Sequence, residues 1–193
     1  LKKMICFGDS ITAGWDGVRV HPILNEKLAS GLRGWQIRNA GVPGDTTEKA
    51  LDRMDRDVLR HPYDMVTVLF GANDSSYHKG IPLLAFQNHL IRMTEAISAE
   101  KIILITPAPV IDQKQKGKRL NERVSIYAAS VRRVAEETGS PLIDLHRRMM
   151  QLSSFQPLLQ EDGLHFTHSG YDFLSALIIE KVNALEGKSK IQP

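Results

Sequence analysis

The chain predicts an α/β fold in which a parallel sheet is covered by helices on both faces. Three observations point there. Five short runs rich in β-branched and apolar residues are spread along 193 residues, amphipathic helical patterns lie between them, and no internal repeat, low-complexity segment or linker interrupts the alternation.

In order along the chain, residues 4–7, 36–39, 65–70, 101–106 and 141–144 read as buried strands. Apolar residues then recur at helical spacing in Leu51, Met54 and Val58, in Phe86, Leu90, Met93 and Ile97, and in Val124, Tyr127, Val131 and Val134. Tyr171, Leu174, Ile178, Val182 and Leu185 repeat the pattern at the end. Such alternation makes βαβ units with right-handed crossovers. The length fits one domain over residues 1–187, followed by a short polar tail over 188–193.

Composition narrows the class. Hydrophobic residues make up 42%, and the longest apolar stretch, near Met65 to Ala72, is too short to span a bilayer, which takes roughly 18 residues. A soluble chain without membrane insertion is expected, with the cytoplasm as default location because no signal-peptide apolar region precedes the first strand. The one cysteine, Cys6, sits inside that strand and reads as a buried thiol; no intrachain disulfide can form. Twenty-five basic against 22 acidic residues give a net charge of +3, which does not suggest a nucleic-acid partner. The one basic cluster, Lys114, Lys116, Lys118 and Arg119, reads as a solvated loop.

Ligands of open parallel sheets sit outside the carboxyl ends of the strands, where strand order reverses. Four sequence blocks fall on that rim or face it. Gly8-Asp9-Ser10 follows the first strand, Asn39-Ala40-Gly41-Val42-Pro43-Gly44 the second and Gly71-Ala72-Asn73-Asp74 the third, while Asp162-Gly163-Leu164-His165 precedes the last helix, capped near Thr167. A serine hydroxyl needs a base to take its proton and fixed donors to hold the oxyanion it creates. Asp162 and His165, three positions apart, suit a carboxylate that orients an imidazole, although an Asp-Gly turn before a partly buried histidine would look the same. Ser10 alone could equally cap a helix or hold a phosphate, as in a flavodoxin-like binding protein, but that leaves Asn73 and the Asp162–His165 pair unexplained. The Gly-x-Ser-x-Gly elbow of α/β-hydrolases is absent, and no further ligand cluster completes a metal site, so no metal is expected. Asp9 and Asp74 read as structural acceptors of loop N–H groups. The remaining histidines, His21, His61, His78, His89, His146 and His168, read as surface or helix-end residues, His78 with a possible place at the site.

Together the four blocks resemble those of the GDSL esterases and lipases, also called SGNH hydrolases, over nearly the whole chain. Thr106-Pro107-Ala108-Pro109 and Asp162-Gly163-Leu164-His165-Phe166 look most like the branch of isoamyl acetate-hydrolysing esterases. The resemblance implies a three-layer α/β/α sandwich with a flavodoxin-like five-stranded sheet in order 2-1-3-4-5. It implies a triad of Ser10, Asp162 and His165, and an oxyanion hole made by the N–H groups of Ser10 and Gly44 and the side-chain amide of Asn73. The expected activity is hydrolysis of small-molecule, short-chain carboxylic esters through an acyl-enzyme, with no cofactor. A thioesterase or lysophospholipase would use the same machinery on longer chains. Trp15, Tyr77, His78, Val110, Ile111 and Phe166 lie on the rim loops and are candidates for substrate contact.

Overall fold

The computed structural model describes residues 1–189. Five strands, β1 (Lys2–Gly8), β2 (Trp35–Gly41), β3 (Met65–Leu69), β4 (Ile102–Ile105) and β5 (Leu142–Ile143), all pair in parallel in the order β2-β1-β3-β4-β5. Seven α-helices connect them among the described residues: α1 (Ser10–Ala13), α2 (Ile23–Gly31), α3 (Thr47–Met54), α4 (Leu83–Ile97), α5 (Asn121–Thr138), α6 (Leu145–Met150) and α7 (His168–Ser189). Because α7 runs to Ser189, the polar tail expected over residues 188–193 begins inside its last turn, and 190–193 lie outside the described residues. No helix among the described residues is long and apolar enough to cross a membrane.

The period of two along the strands sorts the core into two layers. Met4 and Cys6 of β1, Met65 and Leu69 of β3, and Ile103 and Ile105 of β4 face α2, α6 and α7. Ile5 and Phe7, Val66 and Val68, and Ile102 and Leu104 face α3, α4 and α5. Helix α2 went unread in the sequence because only Leu24 and Leu28 of its nine residues are buried, too few to show a period. Cys6 is fully buried, and burial pushes its thiol up to about 11 against a bond to Thr67, so it is inert packing.

Strand order reverses between β1 and β3, and there the fold brings α1 down onto the end of β2. A Cβ built on Gly41 would stand 2.3 Å from the Ala13 nitrogen and 2.8 Å from the Thr12 carbonyl carbon. Both are backbone, so neither can rotate away. Asn39 fastens the same joint by donating to the Thr12 carbonyl at 2.7 Å and accepting from the Gly41 N–H at 2.8 Å.

Gly41→Ala should therefore push α1, and Ser10 with it, off the sheet end. A stability loss of about 1–3 kcal/mol in urea unfolding is expected, the usual range for overpacking. Turnover should fall in the protein that still folds, and unchanged stability and turnover would show that α1 yields freely.

Candidate active site

Ser10 stands where β1 stops. Asp9 caps the short helix α1 by accepting the Ile11 N–H at 2.9 Å, which turns the chain sharply and leaves Ser10 as the first helical residue. At that position its own N–H has no acceptor within the helix, and the side chain keeps 7% of its surface exposed. A hydroxyl and a free donor thus leave the sheet end together.

The Asp162–His165 segment arrives from the far end of the chain. The Asp162 carboxylate accepts the N–H groups of Leu164 and His165 at 2.9 and 3.0 Å through Oδ1 and meets His165 Nδ1 at 2.5 Å through Oδ2. Burial pushes this carboxyl up, but the ring and the two N–H donors outweigh it and hold it down at about 2. A carboxylate ionised in this way fixes the proton on Nδ1 and leaves Nε2 as an acceptor. His165 Nε2 lies 3.0 Å from Ser10 Oγ, so the arrangement can pass a proton from hydroxyl to ring.

Gly44 and Asn73 complete the rim. Gly44, at φ +81°, takes a left-handed conformation natural to glycine, and its N–H has no acceptor among the described residues. The amide of Asn73 is held from two sides: Nδ2 donates to the Asp45 carbonyl and Oδ1 accepts from Arg119 Nη2, both at 2.8 Å. One N–H of Nδ2 is spoken for, leaving the second. Beneath them Asp74 is fully buried and accepts from the Thr47 N–H, the Thr47 hydroxyl and the Gly71 N–H at 2.8, 2.7 and 3.1 Å, the structural role expected of it.

The rim candidates divide. Val110, expected to touch substrate, is corrected by its burial at 1% exposure, whereas Ile111 keeps the same 7% exposure as Ser10 and Phe166, 2% exposed, lines the cleft beside Trp15. Asn121 pins both backbone groups of Val110, and Ile111 and Phe166 belong to the core beside Tyr171. Trp15 keeps some surface, on a cleft of about 350 Å³ shared with His21, Gln160 and His168, none of it formed by Ser10 or His165. Tyr77 lies half-exposed with the Arg123 guanidinium 4.7 Å from its ring centre, and His78 is exposed on the same loop. His146 takes a helix-end place, buried in the first turn of α6, where burial lowers its pKa.

Two arginines to which the sequence analysis gave no role at the site hold it. Arg53, on α3, is buried and bonds to Asp45. Arg119 was expected in a solvated loop. Its lysine neighbours 114, 116 and 118 are indeed exposed, but the guanidinium of Arg119 turns inward to Ala72, Asn73 and Gln115. Their signal was weak, since an arginine at these positions looks like any surface charge until the chain is folded.

Comparison with known proteins gives the family and the fold. The family model described as GDSL-like Lipase/Acylhydrolase matches residues 6–173. The isoamyl acetate-hydrolyzing esterase 1 homolog of Homo sapiens is 30% identical over 216 aligned positions, covering 95% of this chain and 84% of that protein. The isoamyl acetate-hydrolyzing esterase of Saccharomyces cerevisiae is 30% identical over 195 positions, covering 88% and 81%. The crystal structure of a lipase/acylhydrolase from Enterococcus faecalis matches with a TM-score of 0.91 at 36% identity, over 95% of this chain and 96% of that one.

The carboxyl of Asp9 is 1% exposed, and burial drives it up to about 7 against the Ile11 N–H that it accepts, with Asp74 raising it further. A carboxyl raised in the folded state favours folding below its ordinary range, near pH 4, and that contribution is lost as pH climbs to about 7. Asp9→Asn keeps a capping side chain without the ionisation. Relative to the parent, this variant should gain stability between pH 4 and 7, by a few kcal/mol as an order of magnitude. Urea unfolding at both pH values measures it, and a pH-independent difference would mean that Asp9 is not desolvated.

Proposed function

The chain belongs to the GDSL-like lipase/acylhydrolase family and is a carboxylic ester hydrolase, and we propose that it works by two-step acyl transfer through Ser10. Ser10 Oγ attacks the ester carbonyl as His165 Nε2 takes its proton, and the carbonyl oxygen becomes an oxyanion received by the N–H groups of Ser10, Gly44 and Asn73 Nδ2. Collapse breaks the bond to the alcohol, which leaves with the proton returned from His165. Water then gives a proton to the same ring nitrogen as its oxygen attacks the acyl carbon, and collapse breaks the bond to Ser10 Oγ, which regains that proton as the acid leaves. Asp162 keeps the ring in the required tautomer and offsets its charge. The observation that carries the proposal is the continuous line from Asp162 Oδ2 to His165 Nδ1 at 2.5 Å and from Nε2 to Ser10 Oγ at 3.0 Å.

We also propose a short acyl chain for the substrate. The loops around the site are fastened to the body, with the Tyr77 N–H on the Lys118 carbonyl at 3.0 Å and the Ile111 N–H on the Gly163 carbonyl at 2.9 Å. The Tyr127 hydroxyl donates to the Ile81 carbonyl and holds the far end of the loop after β3. Such loops build a rim, and a long chain gains only where a wall covers it, about 0.8 kcal/mol per buried methylene. Kinship with enzymes named for isoamyl acetate hydrolysis supports an acetyl-sized acyl group.

Two measurements test these proposals. Ser10→Ala should abolish ester hydrolysis and labelling by a serine-directed phosphonate while the folded circular-dichroism spectrum persists; labelling that survives would move the nucleophile elsewhere. Across p-nitrophenyl esters below their micellar concentrations, kcat/KM should be higher for acetyl to butyryl than for dodecanoyl esters. A steady rise through long chains would favour a thioesterase or lysophospholipase.

A further inference from the structure

We propose that Arg119 is a positioning residue for the hydrolysis, setting the amide of Asn73 in its working orientation and tying it, through Gln115, to the turn that carries Asp162 and His165. The proposal rests on the assignment of Asn73 to the oxyanion hole.

The guanidinium meets three neutral acceptors with three different nitrogens. Nε donates to the Ala72 carbonyl at 2.5 Å, Nη2 to Asn73 Oδ1 at 2.8 Å and Nη1 to Gln115 Oε1 at 3.2 Å. Gln115 is itself buried and passes the connection on, donating from Nε2 to the Asp162 carbonyl at 2.7 Å. One side chain thus joins the third sequence block to the fourth. Among the described residues Arg119 has no carboxylate within ion-pair distance, and burial lowers its pKa against the more distant charges of Asp9 and Asp162. A half-buried cation held only by amide oxygens costs stability, which is understandable where its direction serves the chemistry.

The direction matters because an asparagine amide has two faces that differ only in oxygen and nitrogen. A guanidinium can only donate, so the atom facing it must be Oδ1; the Asp45 carbonyl can only accept, so the atom facing it must be Nδ2. With the two partners on opposite sides, the flipped amide would set donor against donor and acceptor against acceptor. The second N–H of Nδ2 is thereby held in place before the oxyanion forms, and reorganisation during the reaction is avoided. The cation that donates to Oδ1 also polarises the amide and strengthens its remaining donor. Lysine cannot reproduce the arrangement, because a single ammonium does not span the three acceptors met by three separate guanidinium nitrogens.

The test is a double-mutant cycle on short-ester hydrolysis with Arg119→Met, Arg119→Lys and Asn73→Ala. Asn73→Ala alone should lower kcat by about 100- to 1,000-fold, the loss for one oxyanion donor. Each Arg119 variant should lower kcat by roughly 10- to 100-fold with KM changed less than about threefold, part of the loss of the donor itself. Added to Asn73→Ala, the same variants should cost less than about threefold. Affinity for a boronic acid that mimics the tetrahedral oxyanion should fall in step with kcat in the single variants. A role limited to holding the loop would give the same loss in both backgrounds and leave the boronate ratio to kcat unmatched, which overturns the proposal while leaving the oxyanion hole intact. An Asn73→Ala loss below tenfold removes the hole and this proposal together. Should Arg119→Met not fold, the milder Arg119→Lys carries the cycle alone.

Discussion

The guanidinium of Arg53 is the interaction on which the site depends. It donates to the carbonyl of Gly8 at the end of β1 at 3.0 Å, to the carbonyl of Ala40 near the end of β2 at 2.8 Å, and to the carboxylate of Asp45 beside Gly44 at 2.6 Å. Asp57 takes a further bond at 3.1 Å, and the Phe7 ring lies 4.7 Å from the charged centre. The Gly8 carbonyl also accepts the Val42 N–H at 3.0 Å, so the cation reinforces a strand end that is already paired and joins it to the end of β2. Ser10 is two residues beyond Gly8, Gly44 directly precedes Asp45, and the Asp45 carbonyl accepts the amide of Asn73, so all three donors are referenced to a single buried group. Removing it would strand the Asp45 carboxylate, a defect on the order of 3–5 kcal/mol.

Around that anchor, most charged groups near Ser10 shape the site instead of reacting. Asp9 and Asp74 are buried acids held well above the usual carboxylate range, at about 7 and about 6, chiefly by burial. Asp9 accepts the Ile11 N–H in the turn that presents Ser10, and Asp74 accepts the N–H groups of Thr47 and Gly71 beneath Asn73. A neutral side chain would be easier to bury, but few side chains accept from several donors in so short a turn. Stability is traded for a backbone whose dipoles are aimed before substrate arrives. Asp162 differs because its ring partner and two N–H donors overcome burial and keep it charged at about 2.

The strands were legible because each leaves a local mark, whereas the sheet order and the roles given to the four blocks followed from the family resemblance and not from periodicity. Continuous apolar runs write β1, β3 and β4 into the sequence because both faces of each strand are buried, and the four blocks occur within a few residues of strand ends or just before α7. What was not legible exists only after folding. Arg53 and Arg119 act across 45 and 46 or 47 positions, on Gly8, Asn73 and Ala72, and carry no motif of their own. The short helix α6 and the π-helical turn over Asp55–Leu59 are too brief for a period to show. The inward packing of Val110 left no mark, because an apolar residue on a rim loop has the same composition whether it faces the ligand or the core.

Ser10 and His165 are separated by 155 positions, so their hydrogen bond records whether both ends of the chain are in place. Two contacts hold the ends together beneath it. The Tyr171 hydroxyl, in the first turn of α7, donates to the Ile11 carbonyl of α1 at 2.8 Å, and burial raises that hydroxyl far above its usual range. Lys27 of α2 pairs with Asp172 of α7 at the surface, where such a pair contributes little. The buried bond therefore matters more than the exposed one. Leu174, Ile178 and Val182 continue the seat of α7 against the layer that holds Leu24 and Leu28 of α2. Because His165 precedes α7 by only two residues, release of that first turn would separate base from nucleophile while the sheet stayed paired. The proton path is thus more fragile than the fold that carries it, and its integrity is set by packing on one face of the sheet.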